Sequence, residues 1–177
     1  MWNHAFCLQY TVTLSEHSLG CSLSVLNKNP EQGQFFSFTS LLHTYFRIDE
    51  ISQLGITGLK GVSFFDKLDD PARERKEDRD TVVFSQETDR IYADVGEGHR
   101  IRLLQNGHPL CSTENLGFRD TVVWNPWIQK AKAMEDFGDE EFRTMVCVEL
   151  GTVSKPVTLA PGETWVAGQV LHDEPKA

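Results

Sequence analysis

Two side chains far apart in the chain, a histidine and a glutamate, are best suited to acid–base chemistry. His43 lies in the aromatic-rich run Leu41–Phe46. Its unperturbed pKa near neutrality suits a proton donor, and the structural alternative is a hydrogen-bonded histidine packed among aromatic rings. Glu149 follows the apolar residues 145–148. An unpaired carboxylate buried in such a run has a raised pKa, which suits a general base at neutral pH. The alternative is a glutamate at a strand end that faces solvent or pairs with a basic side chain.

Two other segments carry side chains that suit sugar binding. Trp124 and Asn125 belong to the string Trp-Asn-Pro-Trp, and the apolar C–H faces of a sugar stack on aromatic rings. Large tryptophans are equally typical of a hydrophobic core. Asp89 lies in the segment 87–92, where composition alone favours a turn residue.

Sequence motifs for other kinds of chemistry are absent. The chain has no GxGxxG, P-loop, HExxH or GxSxG string, and its six histidines are scattered. None of the four cysteines forms a CxxC pair, which is typical of reduced thiols in a cytosolic protein. The sequence therefore predicts no nucleotide, no metal and no other cofactor.

Composition narrows the classes of partner. The 177 residues carry a formal net charge of −9, which argues against non-specific binding to nucleic acid or to an anionic membrane. No apolar stretch is long enough to span a bilayer, and the first residues lack the pattern of a secretory signal. We expect a cytoplasmic protein and a monomer.

The elements that must position these side chains are strands. Residues 6–14 alternate between apolar and polar types, which predicts a half-buried strand, and residues 19–25 repeat the pattern as its antiparallel partner. A third strand is predicted from Phe35 to Phe46, and Asn106-Gly107 predicts a hairpin. Residues 125–132 favour a short helix with Asn125 as its N-cap, and the charged run 69–80 favours a solvated loop. Two strands are expected in the tail, 153–159 and 164–171. The chain is therefore predicted to be a single all-β domain over residues 1–177, folded as an antiparallel β-sandwich.

Taken together, several strings resemble the hexose-6-phosphate 1-epimerase group of the aldose 1-epimerase superfamily. They occur in the family's order and cover nearly the whole chain: Phe38–Phe46, Gly58–Gly61 with Asp66-Lys67, Thr88–Tyr92, Val122–Trp127 with Lys130-Ala131 and Met134, Met145–Glu149, and Leu159–Gly162.

The resemblance implies a galactose mutarotase-like supersandwich and interconversion of the α and β anomers of D-glucose 6-phosphate or a related hexose 6-phosphate. By the resemblance, Glu149 is the general base, His43 is the general acid and Asp89 binds sugar hydroxyls, with Glu87 as the alternative two residues away. We add Trp124 and Asn125 as candidate substrate-binding residues. No cofactor is required, because a hemiacetal opens by proton transfer alone.

The chain departs from the family at its N-terminus, where family members are longer. We therefore expect missing N-terminal strands, an incomplete phosphate site, an open sheet edge and impaired activity. Two alternatives follow: a non-catalytic carbohydrate-binding or regulatory sandwich, and a fragment that needs another chain to complete its sheet.

Overall fold

The computed structural model describes residues 2–29 and 33–174, which form fourteen strands, one α-helix and two 3₁₀ turns. The strands in chain order are β1 (Phe6–Leu14), β2 (Ser18–Asn27), β3 (Phe36–Leu42), β4 (Tyr45–Arg47), β5 (Leu54–Thr57), β6 (Ser63–Asp66), β7 (Glu74–Lys76), β8 (Thr81–Val83), β9 (Thr88–Ala93), β10 (Arg100–Gln105), β11 (His108–Leu116), β12 (Asp120–Asn125), β13 (Met145–Leu159) and β14 (Thr164–Asp173). The helix is α1 (Trp127–Ala133), and the 3₁₀ turns are Ile51–Gln53 and Glu141–Thr144. In the part of the chain so described, no helix has the length and apolar character needed to cross a membrane.

The strands form two antiparallel sheets, which confirms the predicted all-β sandwich. Sheet 1 has the order β1-β2-β14-β11-β10-β5-β8. Sheet 2 has the order β3-β13-β12-β9-β6-β7, and β4 also pairs with β13. The sheet order therefore places β13 centrally between β12 on one side and β3 and β4 on the other.

The main core lies between the two sheets. Ile56 and Leu103 of sheet 1 and Val146 and Val148 of sheet 2 are fully buried in one cluster. Because successive side chains of a strand point to opposite faces, Glu149 points away from sheet 1, and so do the positions of Cys147 and Gly151 on either side of it in β13. The outer face of sheet 2 is therefore where a site containing Glu149 can form.

Several local predictions are confirmed. The Asn106-Gly107 hairpin joins β10 and β11, and both residues have the positive φ angles, 53° and 79°, that a type I′ turn requires. The last predicted strand is β14. The expected strand at 153–159 is instead the second half of β13, which is continuous with the apolar segment around Glu149. An irregularity between Thr152 and Val157 interrupts its pairing with β3.

The predicted burial of the first strand is wrong. Strand β1 has the expected bounds and pairs with β2, but all nine of its residues are exposed. It is the edge strand of sheet 1, and its apolar side lacks a covering strand of sheet 2 among the described residues. The expected strand from Phe35 to Phe46 is also divided, because His43 and Thr44 separate β3 from β4.

The charged run 69–80 is only partly the solvated loop that its composition favours. It contains β7, and Glu77 is only 2% exposed. Burial alone would raise the pKa of Glu77, but hydrogen bonds from Arg79 and the Tyr92 hydroxyl outweigh burial and lower it to about 2. The Glu77 carboxylate is therefore a buried, hydrogen-bonded structural group, and this part of the charged run is not a solvated loop.

Candidate active site

The register of sheet 2 places His43 opposite Glu149. Leu42 at the end of β3 pairs with Leu150, and Tyr45 at the start of β4 pairs with Cys147. The same register runs across the break between the two strands, so the residue facing Glu149 is His43. The distance from His43 Nδ1 to Glu149 Oε1 is 3.4 Å.

Small and β-branched residues allow the strands to meet closely here. Gly151 faces Leu41, and a Cβ at Gly151 would lie 2.6 Å from the Leu41 side chain. On the other side of β13, the β-branched run Thr121–Val123 lies in β12 and pairs with residues 148–150. The close approach of β3 to β13 therefore depends on a glycine two residues after the glutamate.

The neighbouring strands of sheet 2, β12 and β9, position the other candidate residues. Trp124 pairs with Cys147 on one side and with Asp89 on the other. Lys67 follows β6, and its backbone N–H donates to the Asp89 carbonyl at 2.9 Å. Its Nζ lies 2.7 Å from Asp89 Oδ2, which forms an ion pair beside the tryptophan.

These side chains line one cavity of about 230 Å³ on the outer face of sheet 2. The lining residues are Leu41, His43, Lys67, Asp89, Ile91, Val122, Trp124, Glu149 and Val153. A larger cavity of about 870 Å³ shares Lys67, Ile91 and Val153 with it, but contains neither His43 nor Glu149. The smaller cavity is the candidate active site, because chemistry-bearing side chains converge there.

The carboxyl group of Glu149 has the environment of a base that titrates near neutrality. The residue is 1% exposed, and burial is the main cause that raises its pKa to about 7. The negative charge of Asp89 raises the pKa further, whereas Lys67 and a hydrogen bond from the Cys147 thiol lower it. Glu149 Oε2 and Asp89 Oδ1 are both buried without a hydrogen-bond partner among the described residues. Buried acceptors of this kind are normally satisfied, so the cavity is short of hydrogen-bond donors.

His43 closes one side of the cavity and remains half-exposed. Its ring stacks on Tyr45 with a centroid distance of 4.9 Å and makes an edge contact with Trp124. Burial lowers the pKa of His43. The imidazole is therefore held in place by aromatic contacts, with access to solvent and to Glu149.

One set of donor atoms in the described structure has the spacing of a metal site. The donor atoms of His43, Cys147 and Glu149 all lie within 4.8 Å of one another. A metal would require the thiolate, whereas burial and the nearby charge of Glu149 raise the pKa of Cys147. The protonated thiol suits a hydrogen bond to Glu149 better than it suits metal ligation.

Two of the candidate residues, Asn125 and Glu87, lie outside the cavity. Asn125 is fully buried, and its amide donates to the Phe142 and Met145 carbonyls at 2.8 and 2.9 Å. Its Oδ1 accepts the Trp127 N–H at 2.9 Å. Asn125 thus holds the start of α1 against the start of β13 and does not line the cavity, so we correct the expected sugar contact.

The predicted N-cap position is also corrected, because α1 begins at Trp127 with Pro126 in that place. Glu87, the alternative to Asp89, precedes β9 and does not line the cavity either.

Lys67 and Tyr45 are candidate functional residues that sequence reasoning did not single out. Lys67 is distant from Asp89 in sequence, and the pairing of β6 with β9 is what brings them together. Tyr45 lies two residues after His43 in the same aromatic-rich run, and that spacing was the available signal.

Comparison with known proteins gives consistent findings. A family model described as aldose 1-epimerase matches residues 1–172. A protein of Cenchrus ciliaris named "Putative glucose-6-phosphate 1-epimerase" is 39% identical over 167 residues, covering 93% of this chain and 50% of that protein. An Escherichia coli (strain K12) protein of the same name is 32% identical over 126 residues, covering 68% of this chain and 40% of that protein. The chain thus spans half or less of the length of these relatives.

The fold also matches solved structures. The crystal structure of a "putative mutarotase (YeaD)" from Salmonella typhimurium superposes with a TM-score of 0.82 and 23% sequence identity. The match covers 98% of this chain and 56% of that one. At this identity the likeness shows a shared galactose mutarotase-like fold.

Proposed function

We propose, from the premise that this chain belongs to the aldose 1-epimerase family, that it binds a sugar in the 230 Å³ cavity and interconverts its α and β anomers. The observation that carries the proposal is the pairing of His43 with Glu149 across two neighbouring strands, 3.4 Å apart, in a cavity short of donors. A sugar supplies hydroxyl donors to the unpartnered oxygens of Glu149 and Asp89.

The reaction needs only proton transfers. Glu149 takes the proton of the C1 hydroxyl while His43 donates a proton to the ring oxygen, so the C1–O5 bond breaks and an aldehyde forms. Rotation about the C1–C2 bond presents the other face of the aldehyde. The C5 hydroxyl then attacks C1, its proton returns to His43, and Glu149 gives a proton to the new C1 hydroxyl.

The electrostatics of the pair support this division of roles. Burial raises the pKa of Glu149 to about 7, which suits a base near neutral pH, and burial lowers the pKa of His43, which makes its protonated imidazole a better proton donor. The productive arrangement has the proton on His43 and leaves Glu149 ionised.

The other lining residues have binding roles in the proposal. Asp89, held by Lys67, accepts hydrogen bonds from sugar hydroxyls through its free Oδ1. Trp124 offers an aromatic surface beside the cavity to the C–H face of the ring. The names of the relatives support a hexose 6-phosphate, D-glucose 6-phosphate first, as the substrate.

The test is anomer exchange of D-glucose 6-phosphate, followed by NMR exchange spectroscopy. We expect His43→Ala and Glu149→Gln each to slow the catalysed exchange by about 10²- to 10⁴-fold. Glu97→Gln, which neutralises an exposed loop carboxylate, is the matched control and should leave the rate unchanged. Wild-type rates from both site variants would contradict the assignment.

Binding without turnover would favour the second candidate, a non-catalytic carbohydrate-binding module. The observation that favours this candidate is the pair of unpartnered oxygens on Glu149 and Asp89, which would accept sugar hydroxyls whether or not the ring opens. Saturable binding of glucose 6-phosphate, measured by calorimetry, together with no acceleration of exchange would establish it.

A further inference from the structure

The side chain of Cys147 is fully buried, although its place in β13 puts it on the outer face of sheet 2. It shares that face with Glu149, because side chains two residues apart in a strand point to the same side of the sheet. The exposed fraction of Cys147 is nevertheless 0%. Other side chains on the outer face must therefore cover the thiol.

Two aromatic rings cover Cys147. Tyr45 of β4 pairs directly with Cys147 on one side, and Trp124 of β12 pairs with it on the other. The backbones of β4 and β12 are two strand spacings apart, which is roughly 9–10 Å. The ring centroids of Tyr45 and Trp124 are only 6.3 Å apart. The rings therefore lean towards each other across β13 and leave room for a small side chain beneath them.

The covered thiol lies beside both members of the proposed acid–base pair. The Cys147 sulfur, a ring nitrogen of His43 and a carboxylate oxygen of Glu149 all lie within 4.8 Å of one another. Alanine would also fit beneath the rings, but a thiol in addition carries a hydrogen that it can donate. Among the described residues, His43 and Cys147 are the groups that reach Glu149 as donors. Since His43 has to give its proton to the sugar, the thiol alone can hold the carboxylate throughout the reaction.

We propose that Cys147 is a positioning residue of this site: its thiol donates a hydrogen bond to the Glu149 carboxylate and holds that group against the C1 hydroxyl of the sugar. The inference rests on the proposed function and adds a residue to it. Burial and the nearby charge of Glu149 raise the pKa of Cys147, so the thiol keeps its hydrogen and transfers no proton itself.

The hydrogen bond has a measurable effect on the titration of Glu149. A donor to the ionised carboxylate favours that form, and the Cys147 thiol accordingly lowers the pKa of Glu149. The other groups that face this carboxyl are His43, Asp89, which raises its pKa, and Lys67, which lowers it. A substitution at Cys147 leaves these three in place. Loss of the donor should raise the pKa of Glu149, whereas water entering an emptied space would lower it, so the direction of the shift separates the two effects.

Infrared titration of the Glu149 carboxyl tests the proposal without requiring turnover. The C=O stretch of this group is the band that Glu149→Gln removes. Cys147→Ala should move its titration midpoint upward by about 0.5–1 pH unit. Cys147→Ser keeps a donor of similar size, and its midpoint should lie at or below that of the wild type. Cys21→Ala, which removes the other buried thiol from β2 of sheet 1, is the matched control and should leave the midpoint unchanged.

The kinetics should follow the titration. The acid limb of the pH profile of kcat/KM should move upward with Cys147→Ala, kcat should fall by about 10-fold, and Cys147→Ser should restore most of the loss. An unchanged or lowered midpoint in Cys147→Ala would overturn the proposal, as would equal kinetic effects of the alanine and serine variants. A chain that catalyses no exchange would contradict the proposed function, and the infrared titration would still decide whether the thiol holds the carboxylate.

The wild-type protein supplies a second measurement if Cys147→Ala does not fold, which circular dichroism checks. The S–H stretch of Cys147 is the infrared band lost in Cys147→Ser. It should move to higher frequency as the pH falls through about 7, because the protonated Glu149 carboxyl is a weaker acceptor than the carboxylate. A band that does not respond to pH in this range would also overturn the proposal.

Discussion

Replacing Glu149 by glutamine should make the protein more stable at alkaline pH, while it removes the proposed base. The pKa of this carboxyl is raised from 4.5 to about 7, chiefly by burial. A group that binds its proton more tightly in the folded state contributes its full stability below the unfolded pKa. That contribution is lost as the pH rises through the folded pKa. The stabilisation by the protonated Glu149 carboxyl is therefore lost between pH 4.5 and about 7.

The magnitude follows from the two pKa values. A difference of about two and a half pH units corresponds to about 3 kcal/mol of unfolding free energy. Glutamine is neutral at every pH and avoids this loss, although its amide must find partners near His43. We therefore expect Glu149→Gln to be more stable than the wild type by about 2–3 kcal/mol at about pH 8, and by much less at about pH 4.5.

Urea unfolding followed by the fluorescence of the four tryptophans measures this difference. Comparing variant and wild type at each pH cancels the titration of the other carboxylates, which both proteins share. The control is again Glu97→Gln, which should change stability by less than about 0.5 kcal/mol at either pH. A Glu149→Gln protein that gains no stability at the higher pH would refute the view that this carboxyl is held buried at a cost to the fold.

Two other substitutions probe the surroundings of the site. Lys67→Met removes a cation that lowers the pKa of Glu149, so the acid limb of the pH profile of kcat/KM should move upward by about 0.5–1 pH unit. NMR exchange rates across pH measure this, and a downward shift would contradict the placement of the cation. Asp120→Ala removes the buried carboxylate that accepts the Val153 N–H, the Ser154 N–H and the Ser154 hydroxyl at 2.7–2.8 Å. It should cost about 2–4 kcal/mol in urea unfolding, and a neutral result would show that water satisfies these donors.

The positions of the strands could be predicted from the sequence, because a two-residue alternation is a local signal. The hairpin at Asn106-Gly107 is equally local, since it depends on the positive φ angles of two adjacent residues. Whether a whole strand is buried could not be predicted in the same way, because burial is not a local property. Residues 6–14 have the pattern of a half-buried strand, and whether their apolar side is covered depends on sheet 2, which is built from distant parts of the chain.

In the candidate site, too, the chemistry of the residues could be predicted from the sequence, whereas their arrangement in space could not. The chemical types of His43 and Glu149 could be recognised from sequence, but their proximity depends on the register of three strands. The Lys67–Asp89 ion pair likewise depends on the pairing of β6 with β9. Asn125 was misplaced because polar residues next to tryptophan suit a sugar site and a buried connection equally well. Only its hydrogen bonds to distant carbonyl groups distinguish the two.

The irregularity in β13 has a consequence for how this fold can vary. Thr152 faces Ser40 and Val157 faces Phe38, so residues 153–156 stand opposite Thr39 alone. The pairing that sets His43 opposite Glu149 and the pairing of Phe38 with Val157 are thus offset from each other by these extra residues. Val153 and Ser154 are held by Asp120, so insertions or deletions at residues 155–156 can reshape the neighbouring cavity, which Lys155 lines, while the strand pairing around the proposed acid–base pair is kept.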